Sequence, residues 1–342
     1  MAGQQRHRAK EWRGGRKARA LALCAFLALA GCAQPEGVLA PVAIGPTPGT
    51  KVDMLVATTR APSDNIGVAF TGERGSTLSF ADIAVPVPPD RPVGSIQWPS
   101  QTPGDPARDF VVTRLEPLQR ADLRPWFKTH SHGKRRVLVF VHGFNTRFDA
   151  SVFRYAQFVA DTDAALVPVL FSWPSRGRIT DYVYDRESAN FSRSDLAYVL
   201  ESAARSPDVD EVVLFAHSMG AWLAVEALRE LALRDGRVPA KITNVVLASP
   251  DVDSDVFERQ LGDLGPKRPR IVIFTARNDH ALGLSRLIAG QVTRVGAVDV
   301  TNPAYAERLR QADGVLVVYL TALQGGDSLN PSACATQPDM VR

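Results

Sequence analysis

The stretch "VVLFAHSMGAWLAVEALREL", residues 212–231, decides the fold. Four apolar residues, Val212 to Phe215, run into Ala216-His217-Ser218-Met219-Gly220, and apolar residues at helical spacing follow at once from Ala221. That pattern predicts a buried strand joined directly to a helix. Ser218 stands at the joint, with small residues two places before and two places after it. Two roles suit a serine there. It can cap the helix by accepting from an amide of the first turn. It can also be a nucleophile displayed on a sharp strand-to-helix turn, whose crowding demands small flanking side chains.

Working outward, the same alternation runs from Lys134 onward. Strands are expected at 136–142, 165–173, 211–218, 242–250 and 270–279. Helices are expected at 146–162, 188–205 and 221–236, the last stopped by Gly236. Near-continuous apolar strands between helices imply an α/β fold, a mainly parallel sheet with helices on both faces. In such sheets ligands sit at the carboxyl ends of the strands. Three strand ends deliver polar residues to that edge: "HGFN" (142–145), Ser218 and Asp279.

The Ala216-x-Ser218-x-Gly220 segment resembles the G-x-S-x-G nucleophile elbow of the α/β-hydrolase superfamily, with one added methyl at Ala216. "HGFN" resembles the superfamily's oxyanion loop. Gly143 would let the backbone approach substrate, and the oxyanion donors would be the amides of Met219 and Phe144. His142 and His217 read as structural residues at strand ends. More widely, "VFVHGFNTRFD", "PVLFSWPSRG", "DYVYDRESANFSRSDL", "LFAHSMGAWLAVEAL", "LASPDVDSDVF" and "NDHALGLSRLIAG" together resemble the DUF900 family of bacterial α/β hydrolases. The resemblance covers about residues 51–330, including the "ATTR" strand. It implies an α/β-hydrolase fold and an esterase-like hydrolase of unassigned substrate.

The triad acid expected from this resemblance is Asp279, with Asp251, one strand earlier, as the rival. Asp251, Asp253 and Asp255 alternate, which invites a calcium reading. An EF-hand loop wants glycine at its sixth position and glutamate at its twelfth, where this chain has Val256 and Gly262, so no metal is expected. The base is the open question. In the superfamily order the histidine comes after the acid. The six histidines are His7, His130, His132, His142, His217 and His280, and none follows His280. His280 is therefore the remaining candidate, although neighbours on one loop rarely adopt triad geometry. Two readings stay open: a serine hydrolase of carboxylesterase or lipase type, and a catalytically degraded hydrolase acting as an envelope binding protein.

The formal charge of +4 would suggest an acidic partner, but seven of the 40 basic residues lie before position 32 with a single acid. The rest of the chain is slightly acidic, so nucleic-acid binding has no support. Those first residues form a basic segment, an eleven-residue apolar run "ALALCAFLALA" and "LAGC". This layout reads as a secretory signal, and "LAGC" resembles a bacterial lipobox with Cys32 as the acylated residue. Ala33 follows it, which favours the outer membrane. The expected organisation is a signal peptide over 1–31, a flexible Pro/Gly-rich tether over 32–50, a β-rich extension over 51–133, a hydrolase domain over 134–330 and a tail over 331–342. Short strands are expected at 52–60, 77–87, 95–99 and 110–118, with no chemistry. The expected partners are an ester substrate and, through the lipid, a membrane; no cofactor is implied.

Overall fold

A computed structural model of the chain describes residues 35–43, 45, 49–131, 133, 135–275, 294–297 and 314–319. Its strands are β1 (Lys51–Pro62), β2 (Phe70–Pro86), β3 (Arg114–Leu118), β4 (Arg136–Val141), β5 (Val167–Ser172), β6 (Glu211–His217), β7 (Ile242–Ala248), β8 (Arg270–Thr275) and β9 (Val315–Tyr319). The main helices are α1 (Leu123–His130), α2 (Phe148–Thr162), α3 (Tyr182–Phe191), α4 (Arg193–Arg205), α5 (Met219–Asp235) and α6 (Ser254–Leu264). The described strands make one sheet in the order β3-β2-β1-β5-β4-β6-β7-β8-β9. From β1 to β9 every neighbouring pair is parallel, and β2 and β3 add antiparallel strands at one edge. This is the α/β-hydrolase architecture expected from the sequence.

Why these residues make this sheet follows from the period of a strand. Successive side chains point to opposite faces. Val137, Val139 and Val141 of β4 join one core with helices α4 and α5. Leu138 and Phe140 join the other with Phe153 and Tyr155 of α2. A strand buried on both faces needs a nearly continuous apolar run, as in Val137–Val141 of β4 and Val167–Phe171 of β5. The chain moves from β4 outward to β5, then jumps back across β4 to β6. The connections therefore diverge at β4 and β6, and in such sheets ligands bind at the carboxyl ends of the strands where this happens.

Several boundaries differ from expectation. The β-rich extension is continuous with the main sheet, because β1 pairs with β5 from Leu55↔Val169 to Thr58↔Ser172. Residues 95–99 form no strand; Trp98 instead packs edge-on against Phe153, with ring centroids 5.4 Å apart. The single helix expected over 188–205 is two, broken at Ser192, whose hydroxyl bonds Thr59 Oγ1 of β1 at 2.7 Å. Part of the expected tether is docked. Val38 and Leu39 are buried in the second core, the Leu39 amide donates to the Gly67 carbonyl, and the Val42 amide donates to that of Val112. Cys32 lies outside the described residues.

Candidate active site

Ser218 is the residue between β6 and α5, and its backbone is at φ 51° and ψ −119°. Few non-glycine residues adopt positive φ, and such strain persists only where the surroundings over-determine it. Here they do. The Ser218 amide donates to the Ala248 carbonyl at 2.9 Å, and the Ser218 carbonyl accepts from the amides of Ala221 (3.0 Å) and Asp251 (3.1 Å). The serine makes no side-chain capping bond to α5. The capping role, one of the two left open by the sequence, is therefore not taken up.

Two glycines allow the close approaches around this turn. A Cβ on Gly220 would lie 2.3 Å from the His142 carbonyl oxygen and 2.8 Å from that of Val141. One on Gly143 would lie 2.6 Å from His217 Nδ1 and 3.1 Å from Ser218 Cβ. The backbone of the "HGFN" loop thus runs directly against Ser218. Among the described residues, neither the Phe144 nor the Met219 amide donates a hydrogen bond. Met219 directly follows the strained, 8% exposed serine and Phe144 directly follows Gly143, so both amides without a partner among the described residues adjoin this contact.

The loop is held from below and from the side. His142 is buried; its Nδ1 lies 2.8 Å from the Gly143 carbonyl, so that nitrogen carries the proton and donates. Nε2 is then the acceptor, with Ser172 Oγ at 3.3 Å and the Arg60 guanidinium at 3.4 Å. The ring stacks on Trp173, centroids 4.8 Å apart, and the Trp173 indole donates to the His142 carbonyl at 2.8 Å. Burial, and then the Arg60 cation, hold the His142 pKa down at about 3, so it stays neutral. From the side, the Asp185 carboxylate accepts from the Asn145 amide (3.2 Å), the Arg176 amide (3.1 Å) and Ser175 Oγ. Burial raises the Asp185 pKa, against the pull of these bonds and of Arg60.

Asp251 lines the same region. Its Oδ2 accepts from the Tyr182 hydroxyl at 2.8 Å, and its Oδ1 lies 3.3 Å from Arg294 Nε, both side chains nearly fully buried. Tyr182 in turn meets the Phe144 ring edge-on at 5.2 Å. The carboxylate proposed from sequence as rival acid is thus engaged by a phenol and a guanidinium. Asp253 caps α6, accepting from the amides of Asp255 (2.9 Å) and Val256 (3.0 Å). Asp279 and His280 lie outside the described residues; β8, the strand that leads to them, ends at Thr275 on the same sheet edge as Ser218.

Sequence reasoning missed Arg60, assigned to a segment without chemistry. It is fully buried at the end of β1 and reaches the loop after β4. Burial lowers its pKa to about 10, with Asp185 and Asp149 opposing. The available signal was the polar "TTR" ending an apolar strand.

Comparison with known proteins gives a family model described as an alpha/beta hydrolase of unknown function, DUF900, which matches residues 119–342. No curated protein matches the sequence. Among solved structures, an esterase of the fungus Rhizomucor miehei is 15% identical with a TM-score of 0.36, over 85% of this chain and 79% of its own. The carboxylesterase CesB of Bacillus subtilis is 10% identical with a TM-score of 0.36, over 86% and 90%. A predicted CIB-like hydrolase of Thermoplasma acidophilum is 13% identical with a TM-score of 0.33, over 61% and 83%.

Proposed function

This chain belongs to the DUF900 family of α/β hydrolases, and from that premise we propose that it cleaves acyl esters with Ser218 as nucleophile. The observation that carries this reading is the strained turn at Ser218, φ 51°, set against the Gly143 loop. A serine used only for capping has no need of positive φ, since ordinary N-caps sit in the extended region. In the proposed reaction Ser218 Oγ attacks the ester carbonyl. The Met219 and Phe144 amides take the developing negative charge, the alcohol leaves, and water cleaves the acyl-enzyme. Asp279 is the proposed acid and His280 the candidate base.

The absence of any histidine after position 280 also favours a second reading, a hydrolase-derived binding protein of the envelope. A serine without an efficient base is a poor nucleophile at neutral pH. Loss of one triad member still leaves roughly 10³- to 10⁴-fold catalysis over water. The enzyme reading therefore expects weak turnover of esters with good leaving groups. Hydrolysis of p-nitrophenyl esters that falls to background in Ser218→Ala supports it; undiminished hydrolysis by Ser218→Ala overturns it, and no hydrolysis favours the binding protein. We further propose that Cys32 is acylated and anchors the protein to the outer membrane. Retention of acyl chains and membrane fractionation by Cys32→Ser would refute the anchor.

A further inference from the structure

We infer that Arg60, from the N-terminal hairpin, is a positioning residue that fixes the oxyanion loop of the Ser218 site. The inference rests on the serine-hydrolase reading for its catalytic consequence, though not for its structural content. Arg60 lies 158 positions before Ser218 and outside the residues matched by the family model. Its guanidinium makes hydrogen bonds in several directions. Nε donates to Ser172 Oγ at 2.9 Å, and Nη1 to the carbonyls of Ser175 (2.9 Å) and Thr71 (3.1 Å). Nη2 donates to the Thr146 carbonyl at 2.7 Å and faces His142 Nε2 at 3.4 Å.

These partners bracket the loop. His142 opens it, Thr146 closes it, and Phe144, the proposed donor, lies between them. The Thr146 amide donates to Ser175 Oγ at 3.0 Å, so the Arg60 bond to the Ser175 carbonyl braces the same end again. Within this clamp Asn145 sits at φ 57°, a left-handed conformation. Asparagine adopts that conformation more readily than other residues with a Cβ, and the Asn145 amide bond to Asp185 and the Arg60 bond to the Thr146 carbonyl hold it on both sides. A rigid planar fork with five donors can span all these acceptors at once; an ammonium cannot.

The pattern differs from simple structural glue. A buried cation is costly unless its surroundings compensate it. Among the described residues Arg60 hydrogen-bonds no carboxylate; its partners there are three carbonyls, a hydroxyl and a neutral imidazole, with Asp185 and Asp149 as nearby charges. Apolar packing would serve the fold at least as well. What such packing could not supply is a fixed carbonyl at Thr146 and a fixed ring at His142.

The test uses the full chain with Arg60→Met and Arg60→Lys, read in two ways. Amide hydrogen exchange is followed at Asn145 and Thr146, with β4 and α5 as internal controls. Steady-state hydrolysis of an activated ester is followed in parallel. In both variants, exchange at Asn145 and Thr146 should rise at least about tenfold while β4 and α5 keep their protection. In Arg60→Met, kcat should fall about 10²-fold, the scale of losing one oxyanion donor, with KM changed by less than about twofold. Arg60→Lys should lie between Arg60→Met and the wild type in kcat. If Arg60→Met fails to fold, Arg60→Lys alone decides. Unchanged loop exchange in a folded variant overturns the inference. So does loss of protection throughout β4 and α5 in both variants, which would make Arg60 a fold residue. If the wild type hydrolyses no ester, the serine-hydrolase reading fails and the exchange comparison still judges Arg60.

Discussion

Gly220→Ala is the sharpest stability test of the turn. The new methyl would lie 2.3 Å from the His142 carbonyl oxygen and 2.8 Å from that of Val141. Real Cβ contacts essentially never fall below 3.0 Å, so the start of α5 and the end of β4 must separate by at least about 0.7 Å. Both obstacles are backbone, and no side-chain rotation relieves them. Overpacking a well-filled site costs about 1–3 kcal/mol, occasionally more, and a backbone clash belongs at the upper end, about 3 kcal/mol. In a chain of this size about 1 kcal/mol moves Tm by roughly 2 °C, so the expected fall is about 6 °C. Gly262→Ala is the control. It also lies in a helix, α6, but a Cβ there meets nothing within 4 Å. It should gain about 0.5–1 kcal/mol from lost unfolded-state freedom. Thermal unfolding followed by circular dichroism measures both. A Gly220→Ala midpoint within about 1 °C of wild type would refute the close packing of the elbow on β4.

Three further outcomes follow from the geometry around Ser218, and a fourth, at Asp279, from the sequence pattern. Ser218→Gly should unfold at higher urea than Ser218→Ala, because only glycine relieves the strain at φ 51°, worth about 1–3 kcal/mol; equal midpoints would deny the strain. His142 is held near 3 in the fold and near 6.5 when unfolded. Its neutral form therefore contributes stability that is complete above about pH 6.5 and is lost as pH falls toward 3, by about 1.4 kcal/mol per unit. His142→Gln should flatten that slope in urea titrations between about pH 6 and 4; equal slopes would contradict the assignment. Asp251→Ala should destabilise by about 3 kcal/mol or more by leaving the Arg294 cation buried without its partner. Asp279→Asn should instead lower ester turnover at unchanged stability, and the opposite pattern would transfer the acid role to Asp251.

Much of the fold is legible because it rests on local pattern. The apolar runs of β4, β6 and β7 are strands because a central parallel strand is buried on both faces. Small residues flank Ser218 because the turn tolerates nothing larger at Gly220. What escaped is what depends on distance along the chain. Arg60 contacts Ser172 and Ser175, more than a hundred residues away, and the polar "TTR" at the end of its strand does not by itself say which distant groups it meets. The break at Ser192 coincides with a bond to Thr59, 133 residues earlier. The docking of Val38 and Leu39 was hidden by the Pro, Gly and Ala around them, since composition does not register two apolar side chains entering a core. The "SIQWP" segment carries Trp98 into packing against α2, and its backbone makes isolated bonds, such as the Phe110 amide to the Gln97 carbonyl at 2.9 Å, in place of a strand ladder. Asp279, His280 and Cys32 lie outside the described residues, so their roles stand on the sequence pattern.

Whether Ser218 is a nucleophile is measured by covalent labelling with a fluorophosphonate, mapped by mass spectrometry on the folded full chain. The probe's phosphorus is attacked by an activated serine, and its phosphoryl oxygen occupies the position of the oxyanion. One adduct is expected, on the peptide carrying Ser218, and none in Ser218→Ala. A folded wild-type protein that takes up no probe, or an adduct that persists in Ser218→Ala, would contradict it.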